Sequence, residues 1–386
     1  MAARTRHASP AALSPEAAAR IAARRLAAQQ IARPRFTKPG ELVAFMGAVQ
    51  AQDPAAARWA VGLRLGGPGT GGVAAIERAL AKGTVIRTHV MRWTWQLVAP
   101  ADLPWMLPLV TARLMARAAR RHRELGLDAA AFRRSHAAIA RALAGGAHRT
   151  RAELGAALRA GGVAPDGARL SHLLGHAELH GLICSGAPRD KRPTYALVEE
   201  RAPRRGAPRT RGEAVAMLAR RYFESRGPAT AADFAWWSGL APAEARAGLD
   251  AVRAHLTSET AAGAVYWYGT RAARLSEAAL AEAARARAYL LPAFDEYLIA
   301  YRDRAAVLAP EQARRLNAGG GLLAPCIVVG GRVAGTWRRT LDRRGTVTIA
   351  LAPFAPPDSR TRAAINEAAE RYAAFLGLEP SPVWPR

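Results

Sequence analysis

The chain has few cysteines and no long apolar run. Its two cysteines, Cys184 and Cys326, lie far apart in sequence, which excludes a disulfide scaffold and a cysteine-rich zinc site. No stretch of about 18 or more apolar residues occurs, the length needed to span a bilayer. Residues 1–10 carry charge but no apolar segment typical of a signal peptide. We therefore expect a chain that makes no use of a membrane and acts in the cytoplasm.

Acidic residues and lysines are also scarce. The chain has 56 Lys and Arg against 30 Asp and Glu, a formal net charge of +26, and its only lysines are Lys38, Lys82 and Lys191. This charge favours a polyanionic partner or an acidic membrane surface, and arginine suits bidentate contacts with phosphate. Abundant alanine together with abundant arginine is also typical of a GC-rich genome. We therefore give the arginine bias about half of the weight it would otherwise carry as an indication of phosphate binding.

One order of elements recurs along the chain. Three segments with helical periodicity are followed by two short β-branched or aromatic segments, the order of a winged helix, a variant of the helix-turn-helix. The predicted helices and strands are 13–30, 40–50, 73–81, 84–86 and 94–98 in the first unit; 130–143, 151–160, 167–180, 182–185 and 194–197 in the second; and 211–225, 230–238, 242–255, 256–260 and 264–268 in the third.

The fold class predicted is mainly α with small β-sheets, arranged as tandem winged helices and a β-rich C-terminal domain. The boundaries predicted are 12–125, 126–202, 209–285 and 286–386, the last holding strands at 326–329, 332–337 and 346–350 and a closing helix at 361–376. Thr150 with Glu153, and Thr230 with Asp233, have the spacing of capping boxes at the start of a helix. The Arg-, Gly- and Pro-rich segment 203–208 is the predicted linker.

Two glutamines stand two residues apart, Gln50 and Gln52. On a helix they would point about 200° apart, but Pro54 biases Asp53 towards an extended backbone, in which residues i and i+2 point the same way. Two neutral amides would then converge and could hold a water or a polar ligand. The alternative is a polar helix end that bonds its own backbone, with Asp53 as a cap, and spacing alone favours this alternative.

Several other side chains are candidates for DNA contact. Arg87 and Arg92 could bind phosphate, His89 could bind phosphate or seat a damaged base, and Trp93 could stack on a base, as could Trp95. Each also has a structural interpretation: a solvated basic face, a hydrogen-bonded histidine, or core aromatics of a strand. The loop 186–193 carries Arg189, Lys191 and Arg192, as a wing that touches phosphate would.

A set of motifs resembles the winged-helix crosslink-repair DNA glycosylases, the YcaQ and AlkZ family. The resemblance runs from about residue 12 to 376 and rests on these segments: Gln50-Ala-Gln-Asp, Arg58-Trp-Ala, Arg87-Thr-His-Val-Met-Arg92, Thr94-Trp95, Val98-Ala-Pro-Ala-Asp102, Leu291-Pro-Ala-Phe-Asp-Glu-Tyr297, Tyr301-Arg-Asp-Arg304 and Gly335-Thr-Trp-Arg338.

The resemblance implies a C-shaped monomer that binds double-stranded DNA in the nucleoid and uses no metal or cofactor. The implied activity is hydrolysis of the N-glycosidic bond of alkylated purines, including guanines in interstrand crosslinks, with Gln50 and Gln52 as the catalytic Gln-x-Gln pair. Three positions depart from the pattern: Ala51 is small where the family is bulky, Trp93 stands in place of Pro or Gly, and Gln96 in place of His.

An acidic group near the C-terminus raises the question of a metal. Its members are Asp295, Glu296, Asp303 and Glu311, with no histidine beside them. The resemblance implies a structural role for them, in pairs with Arg302 and Arg304.

Residue chemistry sets the class of lesion. Glutamine can orient water but cannot take its proton at neutral pH, so the site suits bases that already carry positive charge and leave readily.

The competing hypothesis is a non-catalytic DNA-binding regulator, which fits tandem winged helices and a charge of +26 equally well. A regulator commonly dimerises to match half-sites, and no heptad or terminal dimerisation helix is evident in the sequence.

Overall fold

The computed structural model describes residues 12–67, 71–190, 192–202, 209–276, 278–280, 287–317, 323–342 and 345–385. The predicted linker 203–208 and Lys191 lie outside these residues. Among them, no helix is long and apolar enough to cross a membrane. The fold is mainly α with small sheets, as predicted.

The elements of the first two thirds of the chain form three groups. The first holds α1 (Pro15–Ala28), α2 (Pro39–Met46), β1 (Val49–Gln50), α3 (Pro54–Gly62), α4 (Val73–Lys82), β2 (Ile86–Met91), β3 (Thr94–Val98) and α5 (Leu103–Glu124). The second holds α6 (Ala129–Leu143), β4 (Arg149–Thr150), α7 (Arg151–Ala160), α8 (Gly167–Leu179), β5 (Ile183–Ser185), β6 (Thr194–Leu197) and α9 (Val198–Arg201). The third holds α10 (Arg211–Arg226), α11 (Ala231–Ser238), α12 (Pro242–Val252), β7 (Leu256–Ala261), β8 (Ala264–Gly269) and α13 (Thr270–Ala273).

The three groups share one sheet topology. In the first, the short strand between α2 and α3 pairs with the last strand, giving the order β1-β3-β2. In the second, the short strand between α6 and α7 does the same, giving the order β4-β6-β5. In the third, an isolated bridge from Ala229 to Trp267 on β8 takes the place of that short strand. Each group therefore ties a short segment between two of its helices to its hairpin.

The first group differs from its prediction in the following elements. The predicted helix 40–50 ends at Met46, because Gly47 at φ 75° closes it, and Gln50 belongs to a strand. The helix α3 was not predicted, although Asp53 caps it and Pro54 occupies its first turn. The first strand of the hairpin begins at Ile86 and not at residue 84. The long helix α5 was also not predicted.

Both predicted capping boxes are present. Thr150 accepts from the backbone of Glu153, whose carboxylate accepts in return from the backbone N–H of Thr150 at 2.7 Å. Thr230 and Asp233 do the same at the start of α11, at 2.9 Å. Each box satisfies N–H groups that the first helical turn leaves unpaired.

The C-terminal part contains the largest sheet of the described chain, with five strands. Its elements are β9 (Ala288–Leu291), α14 (Glu296–Ile299), α15 (Pro310–Leu316), β10 (Cys326–Val329), β11 (Arg332–Leu341), β12 (Thr346–Pro353), α16 (Ser359–Leu376) and β13 (Glu379–Val383). The strands form one sheet in the order β13-β12-β11-β10-β9. Apolar side chains of this sheet and α16 share one continuous core with α1, α2 and α3. The two ends of the chain therefore fold together.

Histidines gather where α5, α6 and α8 meet. His136 Nε2 lies 2.9 Å from His176 Nδ1, and the His176 ring stacks on Phe132 with centroids 3.7 Å apart. His122 lies edge-on to His172, with ring centroids 5.2 Å apart. Burial lowers the pKa of all four imidazoles, and neighbouring imidazoles help to lower that of His176 to about 3. The folded chain therefore disfavours protonation of this cluster.

We expect acid to weaken the fold through this cluster. Because the folded pKa of His176 is about 3 against an ordinary 6.5, the unfolded chain binds more protons, and the free energy of unfolding falls as pH is lowered from 6.5. Urea denaturation between pH 7.5 and 4 measures the slope. His176→Gln should flatten it, whereas His255→Gln, at an exposed position outside the cluster, should not. Equal slopes in both variants would contradict the assignment.

Candidate active site

Gln50 sits on an edge strand whose backbone is fixed from two sides. Strand β1 pairs with β3 so that Gln50 lies opposite Gln96. On its other side, the Gln50 N–H donates to Glu296 Oε1 at 2.9 Å. Glu296 is 1% exposed and begins the short helix α14. A buried carboxylate from the C-terminal part therefore completes the hydrogen bonding of the strand that carries Gln50.

Glu296 also holds Arg226, the last residue of α10. Arg226 Nε and Nη2 donate to Glu296 Oε2 at 2.9 and 2.8 Å, and the Trp237 indole donates to the same oxygen at 3.0 Å. The remaining guanidinium N–H groups reach the carbonyls of Met46 and Ala48, both at 2.6 Å. Arg226 thereby fixes the turn between α2 and the strand of Gln50.

Asp295 makes a second buried ion pair. Arg64 Nη1 and Nη2 donate to the two oxygens of Asp295 at 2.9 and 2.7 Å, the bidentate geometry of a strong charge-assisted pair. The predicted pairing of this acidic group with Arg302 and Arg304 is therefore wrong: Asp295 binds Arg64, and Glu296 binds Arg226. Sequence separations of 231 and 70 residues explain the error, since no local pattern encodes such contacts.

No metal centre forms from the acidic group within the described residues. No three His, Cys, Asp or Glu side chains there are grouped so that they could hold a metal ion. Burial raises the pKa of the Cys184 thiol to about 12 and that of Cys326 further, so both thiols stay protonated.

A cleft of about 480 Å³ opens beside Gln50. Gln50 Oε1 is buried and has no hydrogen-bond partner among the described residues. Two cleft residues have strained backbone, Arg92 at φ 51° and Phe294 at φ 57°. Its lining consists of Gln50, Arg92, Thr94, Trp236, Phe294, Ile299, Arg304, Ala313, Asn317 and Leu323. This cleft combines two neutral amides, Gln50 and Asn317, with two arginines and an aromatic face.

Gln52 lies outside this lining. Its side chain is exposed and makes no hydrogen bond with a described residue. The chain bends after Ala51, whereas Asp53 is extended (φ −97°, ψ 111°), as Pro54 predicted, and caps α3 by accepting from Ala55 and Ala56 N–H. The two amides are therefore not brought into one cleft, and Asp53 has the capping role expected of it.

The small Ala51 is held firmly. Its N–H donates to the Trp95 carbonyl at 2.8 Å, and its carbonyl accepts from Arg87 Nε at 2.9 Å. The Arg87 guanidinium also lies 4.4 Å from the Trp95 ring centroid, and burial lowers its pKa. Arg87 thus supports the backbone of the glutamine motif from within the protein.

His89 and Trp95 share one partner on α8. His89 Nδ1 lies 2.5 Å from Glu178 Oε2, and the Trp95 indole donates to Glu178 Oε1 at 3.2 Å. Glu178 and His89 are both buried. These contacts join the first group of elements to the second, so the structural interpretation of His89 has direct support.

The turn between β2 and β3 points its two side chains to different places. Arg92 and Trp93 both have positive φ, 51° and 55°, the conformation of a two-residue hairpin loop that Asn-Gly usually occupies. Arg92 lines the cleft, whereas the Trp93 ring lies 5.6 Å from that of His172, centroid to centroid, against α8. Of the two candidates, only Arg92 is brought to Gln50.

The predicted wing residues lie apart from the cleft lining. Arg189 is exposed and pairs with Glu153 at 2.6 Å, and Arg192 lies 3.7 Å from Asp190. The contribution of Lys191 falls outside the described residues.

Sequence reasoning missed most of the cleft wall. Trp236 and Arg304 line the cleft but were not predicted to do so. Gln50 pairs with Gln96, and Gln96 pairs with Thr88 on the next strand, and these pairings were not predicted either. One signal was available for Trp236. Adjacent tryptophans on a helix point about 100° apart, so only one of Trp236 and Trp237 can face the core.

A comparison with models of protein families assigns the chain to a family of DNA repair enzymes. A model of the AlkZ-like DNA glycosylases matches residues 43–375, so the chain belongs to this family and is a DNA glycosylase, a hydrolase that acts on DNA. The predicted family is confirmed, and the regulator hypothesis gives way to an enzyme. The fold is similar to that of Streptomyces sahachiroi DNA glycosylase AlkZ, with a TM-score of 0.76 and 23% identity over 95% of this chain and 99% of that one. No curated protein matches the chain.

We expect Glu296→Ala to destabilise the protein by about 3–5 kcal/mol, because Arg226 would be left buried without its counter-charge. Urea denaturation measures the change. Glu311→Ala, which removes an exposed carboxylate from the same part of the chain, should stay within about 0.5 kcal/mol of the parent. Similar stabilities for the two variants would argue against the Glu296 contacts as described.

Proposed function

We propose that the protein releases cationic alkylated purines from duplex DNA, and that the Gln50 side chain orients the attacking water. The observation that carries this proposal is the Gln50 Oε1 atom, buried at the cleft without a hydrogen-bond partner among the described residues. A buried amide oxygen costs free energy until a water or ligand satisfies it. A bound water at this atom would stand beside an arginine-lined cleft that suits a DNA strand.

The chemistry of the site supports lesions that need little help to leave. A purine alkylated at N7 or N3 is cationic, so it departs without a general acid, and the enzyme has only to place water near C1′ of the sugar. An amide can orient that water but cannot remove its proton at neutral pH. The described cleft lining contains no carboxylate or imidazole that could do so. N7-alkylguanine, including guanine joined in an interstrand crosslink, is therefore the proposed substrate.

Gln52 enters the proposal from outside the cleft. Its exposed amide has no hydrogen-bond partner among the described residues, so it is available to the sugar or phosphate of a bound nucleotide. We propose that bound DNA approaches Gln52 and thereby brings both amides to one lesion.

We further propose that the three groups of elements are winged helices that bind DNA as a monomer. Their shared sheet topology and the net charge of +26 support contacts to phosphate that are independent of sequence. The loop that bears Arg189, Lys191 and Arg192 is the proposed wing of the second unit.

The choice of lesion is testable with defined duplexes. We expect release of N7-methylguanine, detected by alkaline cleavage of the abasic product, and no release of uracil or hypoxanthine, which are neutral. Release of uracil would reveal a general base in the site and would overturn the proposed role of the amides.

The two glutamines can be tested separately. We expect Gln50→Ala to lower single-turnover excision by ~10² to 10³, the scale of losing one positioned catalytic group. Gln52→Ala should lower it by a similar factor, and DNA affinity should stay nearly constant because the net charge is unchanged. Gln52→Asp should retain excision, because a carboxylate stabilises the sugar cation.

The matched control is Gln312→Ala, on α15 but outside the cleft lining, which should leave the rate unchanged. Thermal denaturation of each variant separates lost chemistry from lost structure. Full excision by a stably folded double variant of Gln50 and Gln52 would remove both from the mechanism.

A further inference from the structure

Trp236 is an exposed tryptophan at the entrance to the Gln50 cleft. It lies on α11 with 45% of its surface exposed, while its neighbour Trp237 is fully buried against Glu296. Among the described residues, four large apolar side chains are exposed, and Trp236 is the only aromatic one of the four. The ring is also held in place, because its indole N–H donates to the Ile299 carbonyl at 3.1 Å. Trp236 therefore presents a fixed aromatic surface.

This ring separates two clefts. One is the Gln50 cleft, and the other, of about 590 Å³, lies on the side of α11 and α12. Trp236 is the one described residue that lines both, so its ring is the surface that the two clefts share. The second cleft is lined by Arg113, Ala231, Ala232, Ala235, Trp236, Leu240, Pro242, Arg246 and Arg302.

Both clefts are basic and contain no acidic side chain among the described residues that line them. The five arginines are Arg92 and Arg304 on the side of Gln50, and Arg113, Arg246 and Arg302 on the other. None of the five forms an ion pair with a described carboxylate. Some exposed arginines elsewhere on the protein do have such a partner, as Arg120 and Arg220 do. The clefts therefore keep their positive charge for a ligand.

An aromatic ring flanked by unpaired arginines has the composition of a surface that binds a nucleic-acid strand. We propose that a base of the damaged strand stacks on Trp236, that Arg113, Arg246 and Arg302 bind its phosphates, and that this stack aligns the neighbouring nucleotide with Gln50. The inference rests on the proposed function, since it names the strand path into the same site. Trp236 acts here as a positioning residue.

The binding test uses a duplex with a single tetrahydrofuran abasic analogue, which cannot be hydrolysed, and fluorescence anisotropy. We expect Trp236→Ala to weaken binding by about tenfold to a hundredfold, the loss of one base stack. Trp236→Phe, which keeps an aromatic face, should recover most of that loss. Val265→Ala, which truncates an apolar side chain of similar exposure outside both clefts, should bind as the parent does.

Three results would overturn the inference: unchanged binding by Trp236→Ala, equal weakening by Trp236→Phe and Trp236→Ala, or loss of binding by Val265→Ala as well. Thermal denaturation checks that each variant is folded. The binding arm does not depend on catalysis. If the parent enzyme fails to release N7-methylguanine yet the three binding results hold, the proposed chemistry fails and the strand path stands.

The arginines have their own readout. If Arg246 contacts a phosphate, Arg246→Gln should reduce the slope of log affinity against log salt by about 1. Arg360→Gln, at an exposed position on α16, should leave the slope unchanged. An unchanged slope for Arg246→Gln would place the phosphates elsewhere. Tighter binding of anionic lipid vesicles than of DNA by the same surface would identify a membrane as its ligand and would also overturn the inference.

Discussion

The carboxylate of Glu296 is the contact on which the site depends. One oxygen accepts from the backbone of Gln50, and the other from Arg226 and Trp237. Removing a carboxylate and a guanidinium from water is expensive, so the pair persists only because nearly every donor around it is used. Its contribution is best understood as geometry: it fixes where the strand of Gln50 lies relative to the wall that α11 and α14 build.

That contact belongs to a longer chain of buried polar groups. Gln29 on the first helical segment accepts from Arg64 at 2.8 Å and donates to the Tyr301 hydroxyl at 2.9 Å. The same hydroxyl donates to the Arg226 carbonyl at 2.6 Å. The two ion pairs are therefore coupled through neutral side chains. Such networks specify one arrangement when they are fully satisfied.

The sequence predicted those elements that depend on interactions between residues close together in the chain. Thr150 and Thr230 cap the helices that follow them with their own side chains, so the starts of these helices were predicted. The apolar and β-branched composition of Cys326–Val329 likewise predicted a strand. Asp53 caps α3, as the interpretation of Gln50 to Pro54 as a helix end had it. Predictions failed where partners are distant. No residue near Glu296 in the sequence indicates that Arg226 is its partner. The contact that distinguishes the two interpretations of His89 is with Glu178, which belongs to the second group of elements.

The candidate site was predictable in its central residue and not in its surroundings. Gln50 was singled out by family resemblance, whereas spacing alone favoured a polar helix end, and it lines the cleft. Gln52 was expected to converge with it, but a bend after the short strand sends its side chain to the surface. The lining of the cleft depends on which side of α11 faces the core. The adjacent Trp236 and Trp237 indicate that one of them faces outward, but the sequence does not indicate which one.

The shared core of the two chain ends has a consequence for biosynthesis. The ribosome delivers Gln50 early, but the carboxylate that anchors it arrives about 250 residues later, after roughly 12 to 50 seconds of elongation. A nascent or prematurely terminated polypeptide thus carries Gln50 on a strand that lacks its carboxylate anchor. The strand of Gln50 can therefore reach its anchored position only in a chain translated beyond α14.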